Sequence, residues 1–194
     1  MSSPVSDDDL VVHPPNVLCW RGRRFACAIG WGGVRTNKRE GDGATPAGRF
    51  PLRRVLYRPD RLAPPRTALP IAPLNPWDGW CDDPGHPLLY NRPLRLPHEA
   101  RHEELWRADR VYDVIVILGH NDAPVVQELG SAVFLHVAQP DYAPTAGCVA
   151  VAAGDLLTIL AGVGRRTCLR VPLAAAPPAR CRKPSLVFGG IGFQ

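Results

Sequence analysis

A mainly β, single-domain fold with a few short helices is what this sequence predicts, and three observations carry it. Proline and glycine are abundant, at 22 and 18 of 194 residues, which favours many turns and leaves little room for long helix. Apolar residues come in short runs, β-branched or alternating, each bounded by Gly, Pro or polar clusters. Helical apolar spacing is confined to brief stretches. A chain of this length suits one domain with a substantial core.

In chain order, residues 1–10 are polar and acidic and read as a disordered lead-in to a domain at 11–172. Val17 to Trp20 and Phe25 to Gly30, joined through Arg21-Gly22-Arg23, form a hairpin. A basic segment then leads to Gly41-Asp42-Gly43, ordinary turn chemistry that feeds a strand over Gly48 to Leu52. No Gly-Lys-Ser/Thr follows, so the turn is not a phosphate loop. Pro59 to Pro76 is rich in Pro, Arg and Leu and predicts extended, irregular chain over the surface. Trp77 to Asn91 combines aromatics, carboxylates, His86 and Tyr90, and reads as a cleft lining.

His98 to Arg107 predicts a short polar helix, with Pro97 an acceptable start. Val111 to Leu118 is the clearest core strand and ends in the polar group Gly119-His120-Asn121-Asp122. Gly130 to Val137 and Val149 to Val151 are further strands. Asp155 to Ala161 is helical, with Leu156, Leu157 and Leu160 on one face and Gly162 and Gly164 closing it. Thr167 to Val171 is the last strand, and residues 173–194 read as a C-terminal tail.

The net charge is +5, with arginine far outnumbering lysine, a balance that suits acidic partners. The clusters Arg21–Arg24, Arg53-Arg54 and Arg165-Arg166 are short and scattered, and no nucleic-acid motif accompanies them. Solvated surface is the expectation, with no nucleic-acid partner. Six cysteines without C-x-x-C spacing argue against structural zinc. Their number permits disulfides in an oxidising compartment but fixes no pairing. Asp82, Asp83 and His86 offer too few oxygens for a hard metal. His98-Glu99-x-x-His102 is similar to a zincin pattern, but a bare match is weak. No metal and no cofactor are expected. No run approaches membrane-spanning length, and Ser2 to Asp9 lacks the apolar core of a secretory signal.

Chemistry concentrates in Gly130–Val137 and Pro144–Ala150. Strand alternation sets Val133, Leu135 and Val137 on one face and Phe134 and His136 on the other. The turn residues Pro144, Thr145 and Gly147 return the chain and bring Cys148 back toward that histidine. Nucleophilic sulfur needs a base and backbone donors for an oxyanion, and this stretch supplies His136 and the N–H groups of Gly147 and Cys148. An ion pair with His136 is expected to hold the Cys148 thiol below its free pKa of about 8.5.

The order His, loop, Thr-x-Gly-Cys-Val resembles the signature of YkuD-type L,D-transpeptidases. A second match, Lys38-x-Glu40-Gly41-Asp42-Gly43-x-Thr45-Pro46-x-Gly48, resembles that family's upstream segment. The familiar form has His before the Gly-Cys and Arg two residues after the Cys, where this chain has Ala146 and Ala150, marking a divergent branch. The resemblance implies a β-sandwich catalytic domain, peptidoglycan stem peptides as substrates, carbapenem-type inhibitors, and a periplasmic or envelope location. It implies Cys148 as nucleophile, His136 as base and Gly147 in the oxyanion hole. Thr145, Ala146, Tyr90, Asn91, His120 and Asn121 are expected near the substrate. Cross-linking through a Cys thioester is the expected reaction. Hydrolysis of that thioester, a non-catalytic peptidoglycan-binding module and a cytoplasmic thiol enzyme remain alternatives.

Overall fold

Short alternating runs separated by turns build sheet rather than helix, and the computed structural model, which describes residues 8–173, is mostly strand. In order the elements are β1 (Leu10–His13), β2 (Val17–Trp20), β3 (Arg23–Ala28), β4 (Val34–Arg35), β5 (Thr45–Pro46), β6 (Gly48–Tyr57) and β7 (Ile71–Pro73). There follow β8 (Asp78–Cys81), β9 (Pro93–Arg95), β10 (His102–Glu104), β11 (Val114–Leu118), β12 (Phe134–Val137), β13 (Val149–Val151), α1 (Ala153–Leu160) and β14 (Cys168–Val171).

The large sheet runs β11-β12-β13-β3-β2-β1-β14-β6-β7, and a further pairing of β6 with β11 closes it on itself. Flattened, the ring is a sandwich whose halves share β3 and β6: β14, β1 and β2 on one side, and β13, β12 and β11 on the other. A small sheet, β10-β8-β9, lies outside it. Between the halves sits the main core, including Leu10, Leu18, Val55, Val116, Leu135, Val149 and Leu169. The outer face of the β11–β12 half carries a second cluster with Ile115, Ile117, Phe134 and Cys148. Among the described residues, closure leaves the short strand β7 as the one edge of the large sheet, so little of it could pair with other chains.

The expected β-sandwich is present. Several local expectations need correction. Residues 8–10 belong to the fold and not to a lead-in: Leu10 is fully buried, and the buried Asp9 carboxylate accepts from Arg49 Nε at 2.7 Å and from Cys168 N–H at 3.2 Å. The tail after residue 173 lies outside the described residues. Among the described residues there is one helix rather than several, and its buried face is Leu156, Ile159 and Leu160, with Leu157 turned outward. Burying three such side chains contributes about 1.5–3 kcal/mol each before conformational entropy is set against it.

His98 to Arg107 is not helical. Ala100 N–H donates to His98 Nδ1 at 3.0 Å, Arg101 N–H to Asp83 Oδ2 at 3.1 Å, and Arg101 Nε to Asp82 Oδ1 at 3.0 Å. These bonds hold the chain extended, so that His102 lies opposite Cys81 and Glu104 opposite Gly79 in β10. Side-chain and ladder partners from β8 override a weak local helix preference.

Candidate active site

The alternation expected of β12 is observed. Val133, Leu135 and Val137 join the inner core, while Phe134 and His136 face outward. Phe134 packs edge-on against Trp80 and Tyr112, with ring centroids 5.3 and 6.1 Å away. His136 packs edge-on against Tyr112 at 5.3 Å. Its Nδ1 lies 2.9 Å from the Val137 carbonyl, so Nδ1 carries the hydrogen and Nε2 is left as the acceptor.

β13 runs parallel to β12 with Ala150 opposite His136, and the turn before it presents Cys148. Two threonines build this turn. Thr145 Oγ1 donates to the Cys148 carbonyl at 2.7 Å and accepts from Gly147 N–H at 3.2 Å. Thr45 Oγ1, from the Gly-Asp-Gly segment, donates to the same carbonyl at 3.3 Å and accepts from Gly30 N–H at 2.8 Å. Gly147 adopts φ +138°, and a Cβ there would stand 2.9 Å from the Ala44 carbonyl oxygen, so glycine is required for the two segments to meet. The Gly-Asp-Gly segment is itself a structural buttress. Its Asp42 accepts from Arg39 and Ala44 N–H groups and pairs with Lys38 at 2.5 Å. That partnership holds the Asp42 carboxyl below its usual range against the opposing effect of burial.

The Cys148 sulfur accepts from Phe134 N–H at 3.3 Å and donates to the Ala132 carbonyl at 3.2 Å. Ala132 has φ +49°, a left-handed conformation uncommon for a residue with a Cβ. Burial pushes the Cys148 thiol up to about 12, with the Phe134 N–H opposing. Burial likewise pushes His136 down to about 4, against the Val137 carbonyl. The expected ion pair with a depressed thiol pKa is therefore not the resting state. Burial opposes the charged form of sulfur and of imidazole alike, and outweighs the neighbours that favour it.

Cys148 and His136 line one cleft of about 440 Å³ together with Thr145, Ala146 and Gly147. Its walls add Lys38 and Ser131, from the two motif stretches, and Glu103, Arg107 and Tyr112, which lie outside them. Glu103 hydrogen-bonds the Tyr112 hydroxyl and pairs with Arg107 at 3.3 Å, and burial raises its pKa. Spacing along the chain gives no signal for Glu103, Arg107 and Tyr112, which reach the cleft only through tertiary folding.

Four residues expected near the substrate stand behind the wall. Tyr90 is fully buried and donates to Glu40 Oε2 at 2.5 Å, where Ser131 Oγ also donates at 2.7 Å. Asn91 is buried, donates to the His120 and Asn121 carbonyls at 3.0 and 2.7 Å, and accepts from Ala132 N–H at 3.2 Å. His120 Nε2 lies 3.0 Å from the Leu129 carbonyl, and burial lowers its pKa. Asn121 clamps the loop at Val126 and Gly130. Their hydrogen-bonding groups are turned to the protein itself, so they position the Ser131–Ala132 wall. Among the described residues no group of three or more His, Cys, Asp or Glu side chains converges as a metal site would require.

A closed β-sandwich presenting a free cysteine, a histidine and a glycine turn in one cleft defines a class of thiol-bearing catalytic domains. The chain belongs to the YkuD family of L,D-transpeptidase catalytic domains, whose family model matches residues 9–171. The family acts on peptidoglycan. No curated protein and no solved structure gives a significant match.

Proposed function

We propose that the chain is a peptidoglycan L,D-transpeptidase that works through a Cys148 thioester. The observation carrying this reading is the shared cleft: Cys148 and His136 both line it, beside the Gly147 turn, in a chain of this family. His136, neutral near pH 7 and fixed by the Val137 carbonyl, acts as general base through Nε2. The thiol turns from the Ala132 carbonyl toward Nε2 as substrate enters, and the proton leaves sulfur during attack rather than before it.

Sulfur bonds to the acyl carbon at an L-to-D linkage, and the C–N bond breaks. The departing amine takes the proton from imidazolium, leaving a thioester and neutral His136. An amine of a second stem attacks the thioester, its proton passes to His136, and the thiol leaves reprotonated. The Cys148 N–H serves the oxyanion. Gly147 N–H joins it only by giving up its 3.2 Å bond to Thr145 Oγ1, and a donor of this kind is worth roughly 3 kcal/mol. Thr145 and Ala146 line the donor path, and the small side chains at Ala146 and Ala150 leave room for an unusual stem residue.

An envelope location follows from the substrate, and no helix among the described residues is long and apolar enough to cross a membrane. Incubating purified muropeptides with the protein and reading product masses tests the reaction. Cross-linked dimers are expected. Trimmed monomers alone would make the enzyme a hydrolase of the same thioester, and binding without turnover would make it a non-catalytic module.

A further inference from the structure

A second cavity, of about 470 Å³, opens between the small sheet and β6, β7 and β11, and it shares no lining residue with the Cys148 cleft. Its construction depends on one irregularity. Where β6 pairs with β11, Ile117 faces Arg54 and Leu118 faces Leu52, so Arg53 is an extra residue bulged out of the ladder. In a regular strand Arg53 and Arg54 would point to opposite faces. The bulge turns both into the cavity, as bulges re-aim side chains elsewhere. The inner-face residues of β6 confirm the count: Phe50, Leu52 and Val55 all reach the core, spaced by two and then by three.

The floor below the two guanidinium groups is apolar, made by Leu56, Leu94, Leu105 and Ile117. Arg53 is paired with Asp122 at 2.7 Å, whereas Arg54 makes no ion pair among the described residues. Asp78, the other carboxylate in the lining, accepts from the Asn75 N–H at 2.9 Å. Arg92 adds a third cation at the rim. Three arginines against two engaged carboxylates leave net positive charge over an apolar floor. The volume is that of a small-molecule site, and a guanidinium free to form a fork matches carboxylate or phosphate.

We propose that this cavity is a ligand site for an amphipathic anion: a carboxylate or phosphate monoester on a short apolar chain, its head on Arg54 and its tail on the Leu56–Ile117 floor. The test is calorimetric titration of the full chain with octanoate, octyl phosphate, octan-1-ol and octylammonium. Both anions are expected to bind about tenfold more tightly than the alcohol, the ratio that one charge-assisted contact supplies, and the cation not at all. Arg54→Glu should abolish anion binding. Ala72→Trp, which fills the cavity from the edge strand β7, should abolish binding of anions and alcohol alike. Arg165→Glu, the same charge change at a distant surface site, should leave octanoate binding intact. Unchanged thermal melting shows that each variant is folded. Equal binding of octan-1-ol and octanoate, or octanoate binding that survives either Arg54→Glu or Ala72→Trp, would overturn the assignment.

Discussion

Cys27, in β3, and Cys148, in the turn before β13, are both free, buried thiols, and burial pushes each up to about 12. Their surroundings differ in kind. Cys27 belongs to the inner core, opposite Val151 in the ladder, and burial alone accounts for its shift. Cys148 sits on the outer face, takes one backbone hydrogen bond, gives another, and feels Glu103 and Lys38. Neither burial nor acidity distinguishes the two thiols. What does is the cleft beside one of them, which Cys148 lines together with His136 and Cys27 does not.

The largest effect separates the pair outright. After exposure to a carbapenem, intact-protein mass spectrometry should find an adduct in the wild type and in Cys27→Ala, and none in Cys148→Ala. An adduct retained in Cys148→Ala would place the nucleophile elsewhere. Next comes His136→Ala, which should slow acylation by roughly 10²–10⁴-fold, the usual contribution of a positioned base. A rate within tenfold of wild type would remove imidazole from the mechanism. Cys27→Ser sharpens the contrast from the other side. It places a hydroxyl among apolar atoms and should cost about 1–3 kcal/mol in denaturant titration while leaving the acylation rate unchanged.

The smallest effects are on pH-dependent stability. His136 is held down to about 4, so the unfolded chain binds the proton first. Stability should fall as pH drops from about 6.5 toward 4 and be complete above that window. The difference between wild type and His136→Asn, followed by urea unfolding across pH, should carry that slope. On the alkaline side the folded thiols keep their protons longer than the unfolded ones, so stability should decline as pH rises from about 9 toward 12. Cys27→Ala and Cys148→Ala should each remove part of this decline.

The fold and the pairing of Cys148 with His136 in one cleft were legible because they are written in local pattern. Period-two alternation put His136 opposite Val137, and the Pro-Thr-x-Gly run announced the turn before Cys148. The groups around them were not legible, for a physical reason. Tyr112 packs on the imidazole and Glu103 bonds Tyr112 only because β10 pairs with β8 and β11 with β12, and nothing within a window of ten residues encodes such pairings. The expected helix at His98–Arg107 failed on the same ground. The Arg101 side chain found its partner in Asp82 and the Arg101 N–H in Asp83, which holds the backbone extended. Tyr90 and Asn91 were expected near the substrate, but neither lines the Cys148 cleft: a buried tyrosine bonded to a carboxylate and an amide bonded to the His120 and Asn121 carbonyls hold the chain behind it. The acidity of Cys148 differs from expectation because sequence reveals a neighbouring imidazole but not how deeply the thiol is buried.

β14, the final strand of the described domain, lies between β1 and β6 in the ring. A nascent polypeptide on the ribosome cannot seal the cylinder until residues 168–171 have emerged, because Leu10 and Phe50 meet Leu169 and not each other. Synthesis halted short of Cys168 should yield an open-seamed, protease-sensitive chain, and release of the last strand should render it resistant in one step. Pulse proteolysis of arrested chains of graded length would locate that step.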